Sequence, residues 1–185
     1  MKKIFLVLVL LLGLFGCGNQ NQELNYVDIE GYAVDMSGYN GVSSTGHNFV
    51  GITPDELLKV IDEGGSAIVF MGYTGCHVCQ EVARYINEVA QELDVTVYYL
   101  NCTSEQYPLR DATYDNVVES LSDILRTNES GDKTIYTPHV FSIINGVPQS
   151  GHISVVNSWQ EGNPSEESIQ ELENIYREIM QPFAK

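Results

Sequence analysis

An uninterrupted apolar run, Ser66 to Met71 with Ala-Ile-Val-Phe inside it, leads within a few residues to Cys76-His77-Val78-Cys79 and from there into a helical repeat. A run of that length without polar alternation is the pattern of a strand covered on both faces. Beyond Cys79, apolar side chains fall at Val82, Ile86, Val89 and Leu93, spaced by three and four, with Glu81, Arg84, Glu88 and Gln91 between them. That spacing predicts an amphipathic helix with one buried stripe. Val95 to Leu100 then reads as a second strand. Strand, helix and strand this close together predict a parallel, right-handed crossover, hence an α/β core with the two cysteines at its hinge.

The flanking segments extend the same plan. Thr53-Pro54-Asp55-Glu56 is a helix start in which Thr caps, Pro sits in the first turn and Glu closes a capping box. That helix is expected to run to about Ile61 and stop at Gly64-Gly65. Val117, Leu121, Ile124 and Leu125 predict a further helix over residues 114–126, followed by a polar loop from Thr127 to Lys133. Pro138 opens an apolar strand to Ile144, Asn145-Gly146 supplies a tight turn, and a return strand is expected from Val147 to Val155. Asn163-Pro164-Ser165-Glu166 repeats the capping logic ahead of a closing helix carrying Ile169, Leu172, Ile175 and Ile179. With 185 residues and 43% hydrophobic content, the chain suits one domain, placed at residues 51–185. Residues 17–50 read as a tether and N-terminal extension, with a possible short edge strand at Tyr26 to Ile29 and His47 as a solvated loop residue.

At the other end, Lys2 and Lys3 precede an apolar stretch from Ile4 to Phe15 that closes on Gly16, Cys17 and Gly18. Such a stretch is short of the roughly 20 apolar residues a spanning helix needs and reads as a signal peptide, residues 1–16, removed from the mature chain. Leu14-Phe15-Gly16-Cys17 resembles a bacterial lipobox, which implies Cys17 as the site of lipid attachment. Two acyl chains hold a protein stably at a membrane surface. The expected location is therefore the extracytoplasmic side of a bacterial cell membrane. Losing Lys2 and Lys3 leaves 7 basic against 25 acidic side chains, a formal charge near -18. That balance excludes nucleic acid as a partner, and it would be repelled by anionic head groups, so membrane attachment falls to the lipid.

Of the four cysteines, Cys17 is taken by lipid and Cys102 ends a strand, where a small core thiol is the ordinary occupant. Cys76 and Cys79 are too close together to staple a scaffold and read as a reactive pair. Backbone N–H groups and the positive end of the helix dipole favour a thiolate at the first cysteine of a helix start. Cys76 is then the nucleophile, and Cys79 resolves the mixed disulfide that forms on it. A second Cys-x-x-Cys and a compact histidine pair are both missing from the sequence, so no metal is expected.

From Thr53 to Met180 the chain resembles the thioredoxin superfamily, on the strand, Cys-x-x-Cys and helix, and on Thr137-Pro138 followed by Val140 to Gly146. The resemblance implies a thioredoxin fold: a central mixed sheet with helices on both faces, here behind an N-terminal extension. It implies a cis Thr137-Pro138 bond facing the sulfurs, with Thr137 pairing its backbone with the substrate chain. It also implies a thiol-disulfide oxidoreductase whose only redox group is the Cys76-Cys79 disulfide, with no other cofactor. Partners would be protein thiols and disulfides and a membrane redox protein, and the chain is expected to be a monomer. Two departures stand out: Phe70 and Gly75 occupy positions where thioredoxin has a buried aspartate and a tryptophan. Proton transfer at Cys79 is left to water, Glu81 or another group. His77, beside Val78 in the motif, could stabilise the Cys76 thiolate, as a motif histidine does in periplasmic oxidases of the superfamily, which carry it next to the second cysteine. The direction of electron flow stays open.

The chain is also similar to the bacteriocin transport accessory proteins, which keeps a transport or maturation role in view. Two alternatives stand beside the redox reading. Cys76 and Cys79 with His77 or His139 could hold copper as a metallochaperone, or the domain could be a redox-silent interaction lipoprotein. Tyr73, Tyr98, Tyr99 and Trp159 read as packing residues, His152 as a solvated hairpin residue, and His139 as one that strand alternation could turn away from the sulfurs.

Overall fold

The computed structural model describes residues 23–185; the stretch read as a signal peptide, residues 1–16, and Cys17 lie outside the described residues. The elements are β1 (Phe49–Gly51), α1 (Pro54–Asp62), β2 (Ala67–Gly72), α2 (His77–Glu92), β3 (Val97–Asn101), α3 (Asp111–Ser120), β4 (Arg126–Thr127), β5 (Lys133–Thr134), β6 (His139–Ile144), β7 (Val147–Pro148), β8 (His152–Ile153) and α4 (Glu166–Met180). The main sheet runs β1-β3-β2-β6-β7, with β8 also paired to β6. β1, β3 and β2 are mutually parallel, and β6 is antiparallel to β2. This strand order, with α2 and α4 on one face and α1 and α3 on the other, is the thioredoxin fold.

Alternation along the strands divides the core into two layers. Ile68 and Phe70 of β2, Val97 and Tyr99 of β3 and Val140 of β6 meet Val82, Ile86 and Val89 of α2 and Leu172 and Tyr176 of α4. Val69, Met71, Leu100, Phe141 and Ile143 face the opposite way, against Leu57 and Val60 of α1 and Val117 of α3. All six residues of β2 are buried, the reason its sequence shows no alternation. The α1 start forms the expected capping box: Glu56 N–H donates to Thr53 Oγ1 at 3.2 Å, and Thr53 N–H donates to Glu56 Oε2 at 2.9 Å. In the β6–β7 turn, Asn145 and Gly146 both take positive φ, 51° and 81°, as a tight primed turn requires.

Several expectations need correction. β1, whose three residues carry no readable periodicity, forms on the free edge of β3, pairing Phe49 with Val97. No strand forms at Tyr26 to Ile29. The edge partner is instead Tyr32, whose backbone exchanges two hydrogen bonds with Gly51 at 2.9 and 2.8 Å. From residue 23 the extension is irregular yet packed: Met36, Tyr39 and Val42 are buried in the α2 layer. His47 is half-buried, not solvated, because Phe49 N–H donates to its Nδ1 and its Nε2 bonds Val34 O.

α3 ends at Ser120, and a turn carries Leu121 and Leu125 into the core with the spacing a longer helix would have used. The expected polar loop holds a two-stranded hairpin, Arg126–Thr127 with Lys133–Thr134. The return strand is broken into β7 and β8, since Pro148 has no N–H to donate and the Gly151 backbone lies so close to β6 that a Cβ would sit 2.9 Å from Phe141 Cα. α4 is capped by Ser165, not Asn163.

Candidate active site

β2 delivers the chain to the rim of the sheet, and Tyr73-Thr74-Gly75 turns it into α2 with Cys76 as the capping residue. Cys76 Sγ accepts a hydrogen bond from Cys79 N–H at 3.1 Å. That donor is among the backbone N–H groups a helix start leaves unpaired, and it lowers the energy of a thiolate at this sulfur. Cys76 and Cys79 form a disulfide with their Cα atoms 5.2 Å apart. Cys76 is 8% exposed and Cys79 0%, so only the first sulfur is open to a partner.

The Thr137–Pro138 bond is cis, and Thr137 O lies 3.7 Å from Cys76 Sγ. Pro138 is buried and Thr137 half-buried, so the chain leading into β6 forms one wall of the sulfur site. Val78 is half-buried at the edge of the α2 layer.

Beneath the sulfurs the departure at position 70 is complete. Phe70 is fully buried among the rings of Tyr39, Phe49 and Tyr99, centroids 5.5 to 6.0 Å away. The Tyr39 and Tyr99 hydroxyls share a hydrogen bond of 2.8 Å. Burial, reinforced by each other's proximity, pushes Tyr39 far above the ordinary phenol range, and burial lifts Tyr99 to about 12. Neither phenol is a base at neutral pH. Glu81 is also engaged: its Oε2 accepts from Trp159 Nε1–H at 2.6 Å and its Oε1 from Gly162 N–H at 2.7 Å.

His77 points outward, with Nδ1 against Glu161 Oε1. His139 is fully buried on the opposite face of β6 from the α2 layer, its ring 4.8 Å from Phe141. Strand alternation has turned it away, so the copper reading loses that ligand. Among the described residues, the metal-ligand cluster present is His77, Glu81 and Glu161, which includes neither sulfur. Burial above all, then Arg126 and His152, press His139 down to about 4. His152, expected in solvent, is half-buried with its ring edge-on to Tyr176, and burial lowers it too. Cys102 is a free thiol whose Sγ donates to Leu100 O at 3.7 Å, and burial pushes it up to about 12, so it stays protonated and inert.

Two contacts that frame the motif have no signal in the sequence. On one side Gln80 Nε2 donates to Gly38 O and Thr74 O, both at 2.6 Å, clamping the extension to the start of α2. On the other, Glu81 and His77 hold the segment from Trp159 to Gly162, and Trp159 stands edge-on to Tyr85 at 5.8 Å. Trp159 is thus more than a packing residue, since it ties the β8–α4 loop to the first turns of α2.

No family model matches the chain, and no curated protein matches its sequence. Among solved structures it is similar to thioredoxin O2 from Arabidopsis thaliana in its oxidized state, at 15% identity over 76% of this chain and 98% of the other, with a TM-score of 0.44. It is also similar to thioredoxin O1 from the same plant in the oxidized state, at 12% identity over 71% of this chain and 97% of the other, with a TM-score of 0.43.

Proposed function

We propose that the chain is a thiol-disulfide oxidoreductase that works on protein thiols and disulfides through Cys76 and Cys79, outside the cytoplasm and anchored to a membrane by lipid on Cys17. The observation that carries the chemistry is the asymmetry of the pair: a rim sulfur at a helix cap accepting an N–H, and a second sulfur wholly buried behind it. The location rests on the N-terminal sequence, Lys2-Lys3, the apolar stretch to Phe15 and Cys17.

In the reducing direction the Cys76 thiolate attacks one sulfur of a substrate disulfide. That S–S bond breaks, a Cys76–substrate disulfide forms, and the departing substrate thiolate takes a proton. The Cys79 thiol then loses its proton and attacks Cys76 Sγ, expelling the second substrate thiolate and leaving the Cys76–Cys79 disulfide. Two electrons have passed from the dithiol to the substrate, and oxidation of a substrate dithiol is the same sequence reversed. Because Phe70 stands where a carboxylate could have served and Glu81 turns towards Trp159 and Gly162 of the β8–α4 loop, we assign the Cys79 proton to water entering as the mixed disulfide opens the site. The Thr137 carbonyl, 3.7 Å from Cys76 Sγ, aligns the incoming substrate backbone beside the sulfur. A membrane redox protein would restore the pair, and the domain would act as a monomer.

Trapping decides the matter. Cys79→Ser should accumulate mixed disulfides between Cys76 and substrate proteins in membranes, and Cys76→Ser should abolish both trapping and disulfide exchange. Unchanged phenotype and no adduct in either variant would leave a redox-silent interaction domain in its place.

A further inference from the structure

We propose that His77, Glu81 and Glu161 form a binding site for a divalent cation of the zinc class, built across the start of α2 and the β8–α4 loop. One imidazole and two carboxylates present ligand atoms that all lie within 4.8 Å of one another. A tetrahedral zinc ion with ligands at about 2.0–2.2 Å holds them roughly 3.4 Å apart, a spacing that small side-chain rotations reach by parting His77 from Glu161. His77 Nδ1 and Glu161 Oε1 are already in contact.

The position of Glu81 distinguishes this cluster from an ordinary surface ion pair. His77 and Glu81 are four residues apart on one helix, so both side chains rise from the same face. A divalent cation would be drawn to both carboxylates at once. Glu81 is also held from outside the cluster, by Trp159 Nε1–H at 2.6 Å and Gly162 N–H at 2.7 Å. Donors that orient a carboxylate while leaving it lone pairs for a metal are what supporting groups around a zinc ligand supply. The same two bonds bring Glu161, one of the two residues between Trp159 and Gly162, opposite His77. Imidazole with carboxylate suits zinc, and the Cys76–Cys79 pair takes no part in the site. A bound ion would stitch the loop onto the redox motif through His77, one of the two residues between its cysteines.

The test is calorimetric titration of zinc chloride into the full chain in detergent, oxidised so that Cys76 and Cys79 are closed and with remaining thiols alkylated. One ion per chain should bind, with affinity reduced at least about tenfold in Glu161→Gln and in His77→Asn. Glu92→Gln, at the far end of α2 where Glu92 bonds Arg177, should bind as the parent does. Circular dichroism on each variant checks that the fold is kept. No saturable binding, or equal affinity in all the variants, would overturn the site; because the disulfide is closed throughout, the result stands apart from the redox reading.

Discussion

Replacing His139 by leucine should spare the protein about 2 kcal/mol of the stability it otherwise loses between pH 7 and pH 5. The imidazole is 0% exposed, and burial first, then Arg126 and His152, hold it at about 4 against 6.5 for the free side chain. Since the folded chain keeps the lower value, the unfolded chain takes the proton first as pH falls. The stability tied to this group is therefore complete above about pH 6.5 and drains away as pH drops towards 4. Each unit of displacement is worth about 1.4 kcal/mol, and two-state linkage with these values gives a loss of about 2 kcal/mol between pH 7 and pH 5. Urea unfolding at the two pH values, in parent and His139→Leu, reads the quantity as a difference of differences. Carboxylates titrate alike in both chains and cancel, and His152 remains in both. The cost falls on β6, whose first residue follows Pro138, so acid should loosen the wall beside Cys76. Equal losses in parent and variant would refute the argument that burial keeps this imidazole neutral.

Three further outcomes follow from named contacts. Thr53→Ala removes the side-chain half of the α1 capping box and should lower unfolding free energy by about 1 kcal/mol, measured in urea; no change would mean that water satisfies the freed N–H groups equally well. Leu172→Ala, at a fully buried position joining α4 to the α2 layer, should cost about 2–5 kcal/mol, and a loss under 1 kcal/mol would show that the layer collapses to fill the space. Glu81→Ala frees Trp159, the protein's single tryptophan, so acrylamide should quench its fluorescence more efficiently; unchanged quenching would mean that Tyr85 alone holds the ring.

The legible parts of the fold were those in which burial alone dictates residue type. β2 is apolar at every core position because it is covered on both faces, and α2 shows its stripe because it is covered on one. The α1 cap and the Asn145-Gly146 turn were readable because each is settled by residues within three positions of one another. Illegible parts were those decided by a distant partner. β1 exists because β3 offers an edge, and β7 and β8 are separate because Pro148 and Gly151 meet β6 as they do. The cap of α4 slipped from Asn163 to Ser165, a choice between two competent residues that local pattern does not rank.

At the site the division is the same. The sequence by itself determined the close cysteine pair and its place at the end of a buried strand and the start of a helix, because strand and helix periods and the two-residue spacer are local properties, while the approach of Pro138 came only from the family resemblance. Only the tertiary structure decided that Cys76 is the open sulfur and Cys79 the closed one, that His139 faces away, and that His77 and Glu81 turn to the β8–α4 loop. Those outcomes depend on which side of a strand or helix meets which neighbour. Glu161 stands 84 residues from His77 along the chain, and its contact with it arises where two segments distant in sequence come to rest against each other.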